Sequence, residues 1–230
     1  MPQHPGLRKD GALYLREHVK RVLSYCKNID RIVVASPRGS GFYKGYEEYL
    51  EELERLREMN GITIEVFRRE NVGLSYGSFN DVFGKYRTAF DYYFVAEDDY
   101  LPAVPDFDRI LLDMIGGLPK CGFLCGLVWP VRDYALGCAA IFLGIMRAAA
   151  LDEIWHKTGC LVRLSDPTSY GEAERSGQIG MSAAIVGAGY TIDDWTKSHS
   201  SLYLRESAVE VYGDPKLPPL YVPAQSTSSP

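Results

Sequence analysis

The order of apolar patterns in the first hundred residues restricts the fold more than any other feature. Helical periodicity alternates with short β-branched or aromatic runs, which are RIVVAS at 31–36, ITIEVFRRE at 62–70 and YYFVAEDD at 92–99. In the segment 12–26, Leu15, Val19 and Val22 share one helical face. Strands that alternate with helices favour an α/β class fold. We therefore expect a Rossmann-like, mostly parallel sheet flanked by helices.

The remaining pattern extends this alternation but becomes less regular beyond Pro105. Further helices are predicted at 46–61 with Gly61 as the C-cap, from Ser78 toward Ala89, at 107–114, at 147–159 closed by Gly159, and at 177–188. Further strands are predicted at 121–130, 134–145 and 190–195. We expect one domain over 1–220, with a nucleotide-binding half at about 1–105, an irregular acceptor half at about 106–220 and a flexible tail at 221–230.

The charge and composition exclude several partners. The 230 residues carry a net charge of −5 and are 46% apolar, which predicts a globular core and argues against nucleic acid as a partner. No apolar run is long enough to span a bilayer, and the N-terminus has no signal pattern, so we expect a cytoplasmic protein without a membrane span. Five cysteines at irregular spacings predict reduced core thiols.

Three consecutive carboxylates close the third apolar run. Side chains alternate along a strand, so Glu97 and Asp99 point one way and Asp98 the other. The carboxyl end of a parallel strand opens into the crevice where α/β proteins bind ligands. A hard cation such as Mn²⁺ or Mg²⁺ takes carboxylate oxygens together with ligand phosphates. The alternative is a solvated turn whose acids cap the next helix.

A glycine-containing stretch precedes this triplet. Residues 68–80 read RRENVGLSYGSFN, and Gly73 and Gly77 stand between a predicted strand and a predicted helix. A backbone that turns sharply there lets a ligand approach closely, and Asn71 and Asn80 offer amide contacts. An ordinary strand-to-helix turn is the alternative.

Taken together, the two stretches resemble the GT-A class of glycosyltransferases, in which an N-x-G segment precedes an acidic DXD-type motif at the end of an apolar strand. EDDYLPAVPDF is similar to the acidic segment of the N-acetylglucosaminyltransferase I family. RENVGLSYGSF is similar to bacterial and viral transferases of rhamnan and capsule type. The likeness covers roughly residues 30–110.

The resemblance implies a GT-A-like fold, a nucleotide-sugar donor (usually a UDP-sugar), a glycan acceptor, and Mn²⁺ or Mg²⁺ as cofactor. It also implies Asp99 as a metal ligand, with His199 as a second candidate. The nucleotide-sugar-binding set that it implies comprises Ser36, Arg38, Asn71, Gly73, Gly77, Asn80, Glu97 and Asp98.

Candidates for the base that accepts the acceptor proton lie in SYGEAERSGQIGMS. Glu174 is the first candidate and Glu172 the second, and Glu174 shares a helical face with Gln178. The class often has an acid at the Gln178 position. The alternative is a pair of surface acids stabilised at a helix N-terminus. Asp193 and Asp194 are further candidates, or form a turn.

The sequence thus predicts a metal-dependent glycosyltransferase of bacterial or viral glycan assembly. A non-catalytic nucleotide-sugar-binding domain is the first alternative, because Gln178 replaces the usual acid and the first visible element is a helix, whereas a GT-A chain usually opens with a strand. A nucleotidyltransferase is the second alternative. It would carry a basic, glycine-rich loop, for which PRGSG at 37–41 is the only candidate.

Overall fold

A computed structural model describes residues 12–38, 45–97, 100–126, 128–130, 138–140, 143–163, 170–197 and 202–205. Six α-helices and eleven β-strands lie within these ranges, so the predicted α/β class is confirmed. Asp98, Asp99 and His199 lie outside the described residues. Within the described residues, no helix combines the length and apolar character that a membrane span requires.

The first elements form a small sheet covered by two helices. They are α1 (Leu13–Tyr25), β1 (Arg31–Pro37), α2 (Tyr46–Leu56), β2 (Glu58–Met59) and β3 (Ile62–Arg69). Strand β3 is central, parallel to β1 and antiparallel to β2. Helices α1 and α2 pack on one face of this sheet through a cluster that includes Leu15, Leu50, Val34 and Ile64.

The following elements build a second sheet and its helices. They are α3 (Leu74–Tyr86), β4 (Tyr92–Val95), β5 (Tyr100–Pro102), α4 (Phe107–Gly116), β6 (Cys121–Cys125), β7 (Val128–Pro130), β8 (Cys138–Ala140), β9 (Gly144–Arg147), α5 (Ala148–Thr158), α6 (Tyr170–Gly187), β10 (Thr191–Asp194), a 3₁₀ turn (Trp195–Lys197) and β11 (Tyr203–Arg205). The second sheet has the order β10-β6-β9-β4. Two antiparallel pairs, β5 with β11 and β7 with β8, lie apart from it.

Helices cover both faces of this second sheet. Tyr93 and Val95 of β4 face α3, α5 and α6, whereas Phe94 between them packs in the cluster that contains α1 and α4. Ile32 of β1 packs against that latter cluster and also against the core of the first sheet. The two sheets therefore share a continuous apolar core.

The expectation of a mostly parallel sheet is wrong. Strand β9 runs antiparallel to both of its neighbours, β6 and β4, and β10 with β6 is the parallel pair of that sheet. A parallel connection needs a crossover, usually a helix. Between β6 and β9 the described residues hold only the β7–β8 pair, so the chain returns in the opposite direction.

Four predicted boundaries also differ. Helix α2 ends at Leu56, and Gly61 is no helix cap: Asn60 and Gly61 have φ of 55° and 80° and turn β2 into β3. Helix α3 begins at Leu74 rather than near Ser78, and α6 begins at Tyr170 rather than at 177. The predicted strand at 121–130 divides into β6 and β7.

The predictions for helix 12–26, the Gly159 cap and the thiols are confirmed where the structure describes them. Gly159 ends α5 with φ of 72°. Cys26, Cys121 and Cys125 are buried free thiols, and Cys160 is a half-buried one. Burial raises the pKa of Cys121 to about 12 and raises that of Cys26 further, so both thiols stay protonated at neutral pH.

Candidate functional site

The carboxyl ends of β1 and β3 lie side by side. In their parallel register Ser36 is opposite Arg68 and Pro37 is opposite Arg69. The pairing continues past β1, because the Arg38 N–H donates to the Arg69 carbonyl at 2.7 Å. Ser36 is fully buried, whereas Arg38 is exposed. Of these two predicted donor-site residues, Arg38 is therefore the one whose side chain reaches solvent.

The loop that follows β3, residues 70–73, is here called the N-x-G loop. Asn71 and Val72 are exposed, and Gly73 is buried at φ of 77°, directly before α3. The Val72 N–H donates to the Glu70 carbonyl at 2.9 Å, which tightens the loop. The backbone therefore turns sharply at the position that the glycine pattern predicts.

Gly77 and Asn80 make contacts within the protein. A β-carbon on Gly77 would meet the Val72 carbonyl oxygen, so the atom that approaches Gly77 closely belongs to the chain itself. The side-chain carbonyl of Asn80 accepts the Leu161 N–H at 2.9 Å. This hydrogen bond ties α3 to the segment after α5 and occupies one of the contacts that Asn80 could offer to a ligand.

Strand β4 ends on the same side as β1 and β3. The Tyr93 hydroxyl donates to the Tyr86 carbonyl, at the C-terminal end of α3, and the Tyr93 ring packs against Phe83. Val95 shares a cluster with Tyr76 in the first turn of α3. Strand β4 therefore begins beside the last turn of α3 and runs in the direction opposite to α3, toward the side where the N-x-G loop lies.

Glu97 is the described member of the acidic triplet. It follows β4, is half-buried, and its carbonyl accepts the Tyr100 N–H at 3.2 Å. Glu97 therefore lies where the described chain leaves β4 ahead of β5. The predictions for Asp98 and Asp99 concern residues outside those described.

The segment after the triplet is anchored from two sides. Arg21 of α1 donates from Nη1 to the Pro102 carbonyl at 3.0 Å, and Tyr14 packs against Leu101. On the other side β11 pairs with β5, so that Arg205 is opposite Tyr100 and Tyr203 is opposite Pro102. The pairing places Arg205, which sequence reasoning missed, at the register position beside the start of β5.

A cleft lies against α3 and the N-x-G loop. Its volume is about 340 Å³, and its lining is Arg69, Glu70, Val72, Tyr76, Gly77, Asn80, Asp81 and Val162. This size falls within the range of small-molecule sites, which is roughly 300–1,000 Å³. Two of the predicted donor-site residues, Gly77 and Asn80, line the cleft, whereas Ser36 and Glu97 do not.

Arg69 is the second residue that sequence reasoning missed. Successive β3 side chains face opposite sides: Arg68 pairs with Glu47 and Glu54 of α2, whereas Arg69 faces α3. Arg69 is 8% exposed, and its Nε donates to Asp81 at 2.8 Å. The sequence feature that could have identified Arg69 is a second arginine on the inner face of an alternating strand, because a charge buried there needs partners.

Farther along that face, Glu65 forms a polar cluster with both neighbouring elements. Arg31 of β1 lies 3.2 Å from the Glu65 carboxylate, and Lys85 and Tyr86 of α3 hydrogen-bond to it. Burial opposes ionisation of Glu65, but these hydrogen bonds outweigh it and hold its pKa below the ordinary value. The cluster lies toward the last turn of α3, away from the N-x-G loop, and we assign it a structural role.

Helix α6 carries the predicted base candidates. Glu172, Glu174 and Gln178 all lie on it, and Gln178 is half-buried. A β-carbon on Gly177 would stand 2.3 Å from the Tyr76 ring, so α6 packs directly on the first turn of α3. Glu174 precedes Gly177 by three residues, which is about 4.5 Å along the helix axis. The helix therefore carries Glu174 close to the elements that form the cleft.

The acids at the end of β10 form a turn, as one alternative predicted. One Asp194 carboxylate oxygen accepts both the backbone N–H and the hydroxyl of Thr196, at 2.7 and 2.5 Å. Asp193 accepts the Thr191 hydroxyl at 2.8 Å. These contacts are local side-chain hydrogen bonds of the kind that turns use.

The described residues contain no cluster of three or more His, Cys, Asp or Glu side chains that could hold a metal ion. The predicted ligands Asp99 and His199 lie outside them.

Leu202, just ahead of β11, accepts the Ala103 N–H with its carbonyl at 2.8 Å. The chain thus enters the β5–β11 pair at the Pro102 end and reaches the Tyr100 end at Arg205.

A scan against models of known protein families finds no match, and no curated protein sequence matches the chain.

Proposed function

We propose that this chain is a metal-dependent glycosyltransferase of GT-A type, which moves a sugar from a nucleotide-sugar such as a UDP-sugar to a hydroxyl group of a glycan acceptor. The observation that supports this function is the arrangement of three strands. Strands β1 and β3 end side by side, and β4 runs toward the same side of α3. The polar candidates of three sequence segments follow these strands, and the ligand crevice of an α/β protein lies outside such strand ends.

The donor would lie across this edge. Arg38 is exposed immediately beyond β1 and is the candidate for the diphosphate, because a guanidinium can donate two hydrogen bonds to one phosphate. Asn71 is exposed on the N-x-G loop and offers an amide to the sugar or the ribose. Glu97, half-buried after β4, can accept hydroxyl groups of either ring.

The predicted ligands are of the chemical type that a hard divalent cation binds. Carboxylate oxygens at this edge are the ligands that Mn²⁺ and Mg²⁺ take together with phosphates, and we propose Asp99 as the ligand with His199 as a second candidate. A bound cation would stabilise the negative charge of the leaving diphosphate.

Glu174 is the proposed base. The acceptor hydroxyl oxygen bonds to the anomeric carbon, the bond from that carbon to the diphosphate breaks, and the hydroxyl proton passes to the Glu174 carboxylate. Gln178 is neutral and cannot accept this proton, so it would only orient a hydroxyl. The packing of Gly177 on Tyr76 holds α6 against α3 and fits this role.

A thermal-shift panel tests the ligand class. UDP, GDP, CMP and ATP are added with Mn²⁺, and then with EDTA in its place. A ligand at a hundred times its Kd stabilises the native state by about 2.7 kcal/mol, which corresponds to a Tm increase of roughly 5–10 °C for a chain of this size. We expect this increase for UDP with Mn²⁺. If none of the four nucleotides raises the Tm, a nucleotide-sugar site is refuted.

A non-catalytic nucleotide-sugar-binding domain is the second candidate, which the neutral Gln178 on α6 favours. It predicts the same UDP shift but no release of UDP from a UDP-sugar. Measurement of free UDP during incubation with UDP-glucose, UDP-galactose and UDP-N-acetylglucosamine separates these two functions.

A further inference from the structure

Arg69 is a charged side chain inside the protein. Its side chain is 7% exposed, and its charge is answered by Asp81, whose side chain is 42% exposed on the cleft wall. A buried guanidinium is stable only where its donors find acceptors. The contacts of Arg69 therefore show what the residue holds together.

The three side-chain hydrogen bonds of Arg69 go to α3 and to the N-x-G loop. Nε donates to Asp81 at 2.8 Å, Nη1 to the Ser78 hydroxyl at 3.3 Å, and Nη2 to the Val72 carbonyl at 2.6 Å. The Val72 bond is the shortest of the three. It joins a rigid strand end directly to the middle of an exposed loop.

The same carbonyl is held from the other side. Gly77 has no side chain, and a β-carbon there would meet the Val72 oxygen. Arg69 and Gly77 thus enclose the Val72 peptide between the end of β3 and the first turns of α3. Asn71 and Gly73 flank Val72, so this contact fixes the orientation of both.

We infer that Arg69 is a positioning residue of the donor site, which acts through the Val72 carbonyl to hold the N-x-G loop. The inference depends on the proposed function in one respect, namely that this loop contacts the nucleotide-sugar. Arg69 itself need not touch the donor. Asp81 of α3 pairs with the Arg69 guanidinium and orients it for this role.

The test compares Arg69→Lys with Arg68→Lys. Lysine keeps the charge, but its single ammonium cannot reproduce a planar fork that bonds three groups at once. Arg68 is the matched control, because it is the neighbouring arginine of β3 and pairs with Glu47 and Glu54 on the opposite face. Asp81→Asn is the second variant, which weakens the support of Arg69 and keeps the volume at position 81.

Two measurements are made on each protein. Hydrogen–deuterium exchange of the ligand-free chain reports the peptide that covers residues 70–77, and calorimetric titration with UDP and Mn²⁺ reports Kd. Arg69→Lys is expected to speed exchange in that peptide and to raise Kd roughly tenfold, the effect of losing one charge-assisted hydrogen bond. Asp81→Asn should act in the same direction, and Arg68→Lys should leave both quantities unchanged.

The outcomes separate the inference from the function. Unchanged exchange at 70–77 in Arg69→Lys overturns the inference that Arg69 holds the N-x-G loop. Faster exchange with an unchanged Kd overturns the role in donor binding. Absence of UDP binding by the unaltered chain overturns the proposed function, while the exchange result alone still decides whether Arg69 holds the loop. A loss of affinity in Arg68→Lys equal to that in Arg69→Lys would contradict the assignment to Arg69.

Discussion

The Val72 carbonyl oxygen would stand 2.0 Å from a β-carbon built on Gly77. This contact lets α3 begin at Leu74 and still pack against the loop that leads into it. The oxygen belongs to the backbone and also accepts a hydrogen bond from Arg69. It therefore cannot move aside without shifting the loop backbone and disturbing the hydrogen bond to Arg69.

Gly77→Ala is therefore expected to destabilise the fold. Overpacking of this kind costs typically about 1–3 kcal/mol, and here the neighbour is a backbone atom. The free energy of unfolding from urea titration measures the loss. Gly116→Ala is the control, because position 116 also lies in a helix but has open space around its β-carbon. Equal stability of the unaltered chain and Gly77→Ala would contradict the packing described here.

The free energy of unfolding is expected to depend on pH through His18. It lies on the face of α1 that also carries Tyr14 and Arg21, which contact β5, and burial lowers its pKa from 6.5 to about 4. The folded chain keeps His18 neutral where the unfolded chain protonates it. Stability is therefore retained above pH 6.5 and falls as the pH drops from 6.5 toward 4, by on the order of 2–3 kcal/mol in total.

The measurement compares the unaltered chain with His18→Gln by urea unfolding at pH 7, 6, 5 and 4.5. The unaltered chain should lose stability relative to the variant as the pH falls. His156→Gln, at an exposed position of α5, should follow the unaltered chain. A stability difference for His18→Gln that does not change with pH would show that His18 does not titrate in this way.

Asp108 connects the end of α1 to the start of α4. Its fully buried carboxylate accepts the N–H groups of Lys27 and Asn28 at 3.0 and 2.7 Å, together with the Asn28 side-chain amide. Asp108→Ala leaves these donors without their acceptor and should cost about 2–4 kcal/mol. Asp113→Ala, at an exposed site on the same helix, should change stability by less than about 0.5 kcal/mol. Similar unfolding midpoints for the two variants would refute this role.

The strands that the sequence predicted correctly are those with a buried or alternating apolar pattern and a clear turn after them. β1, β3 and β4 belong to this group. The hairpin at Asn60-Gly61 carries a strong local signal, but the long acidic helix before it made Gly61 look like a cap. Local pattern alone could not decide between a helix cap and a hairpin turn at the same dipeptide.

Contacts that depend on the folded course of the backbone were out of reach of sequence reasoning. The predictions treated Gly77 and Asn80 as ligand contacts, and the pattern held no sign that Val72 and Leu161 approach them. The pattern likewise held no sign that β9 runs antiparallel to β6 and β4. What the pattern could show was that acids and glycines follow predicted strands, and β1 and β3 do end side by side in parallel register.

Glu174→Gln should separate catalysis from binding. Loss of a general base typically lowers kcat by about 10²–10⁴, while the Kd for UDP should change by less than about twofold. Release of UDP from UDP-sugars measures the rate, and calorimetric titration measures Kd. Glu172→Gln, two residues earlier on α6, should retain most of the rate. The reverse result would assign the base to Glu172.

The most direct test of the central claim is the turnover of Asp99→Ala. The unaltered chain should release UDP from a UDP-sugar with Mn²⁺ or Mg²⁺ and not with EDTA. Asp99→Ala should lose this activity and keep its circular dichroism spectrum and Tm, and Asp91→Ala, at an exposed position ahead of β4, should keep the activity. Turnover by Asp99→Ala at the rate of the unaltered chain would contradict a metal-dependent nucleotide-sugar site at the end of β4.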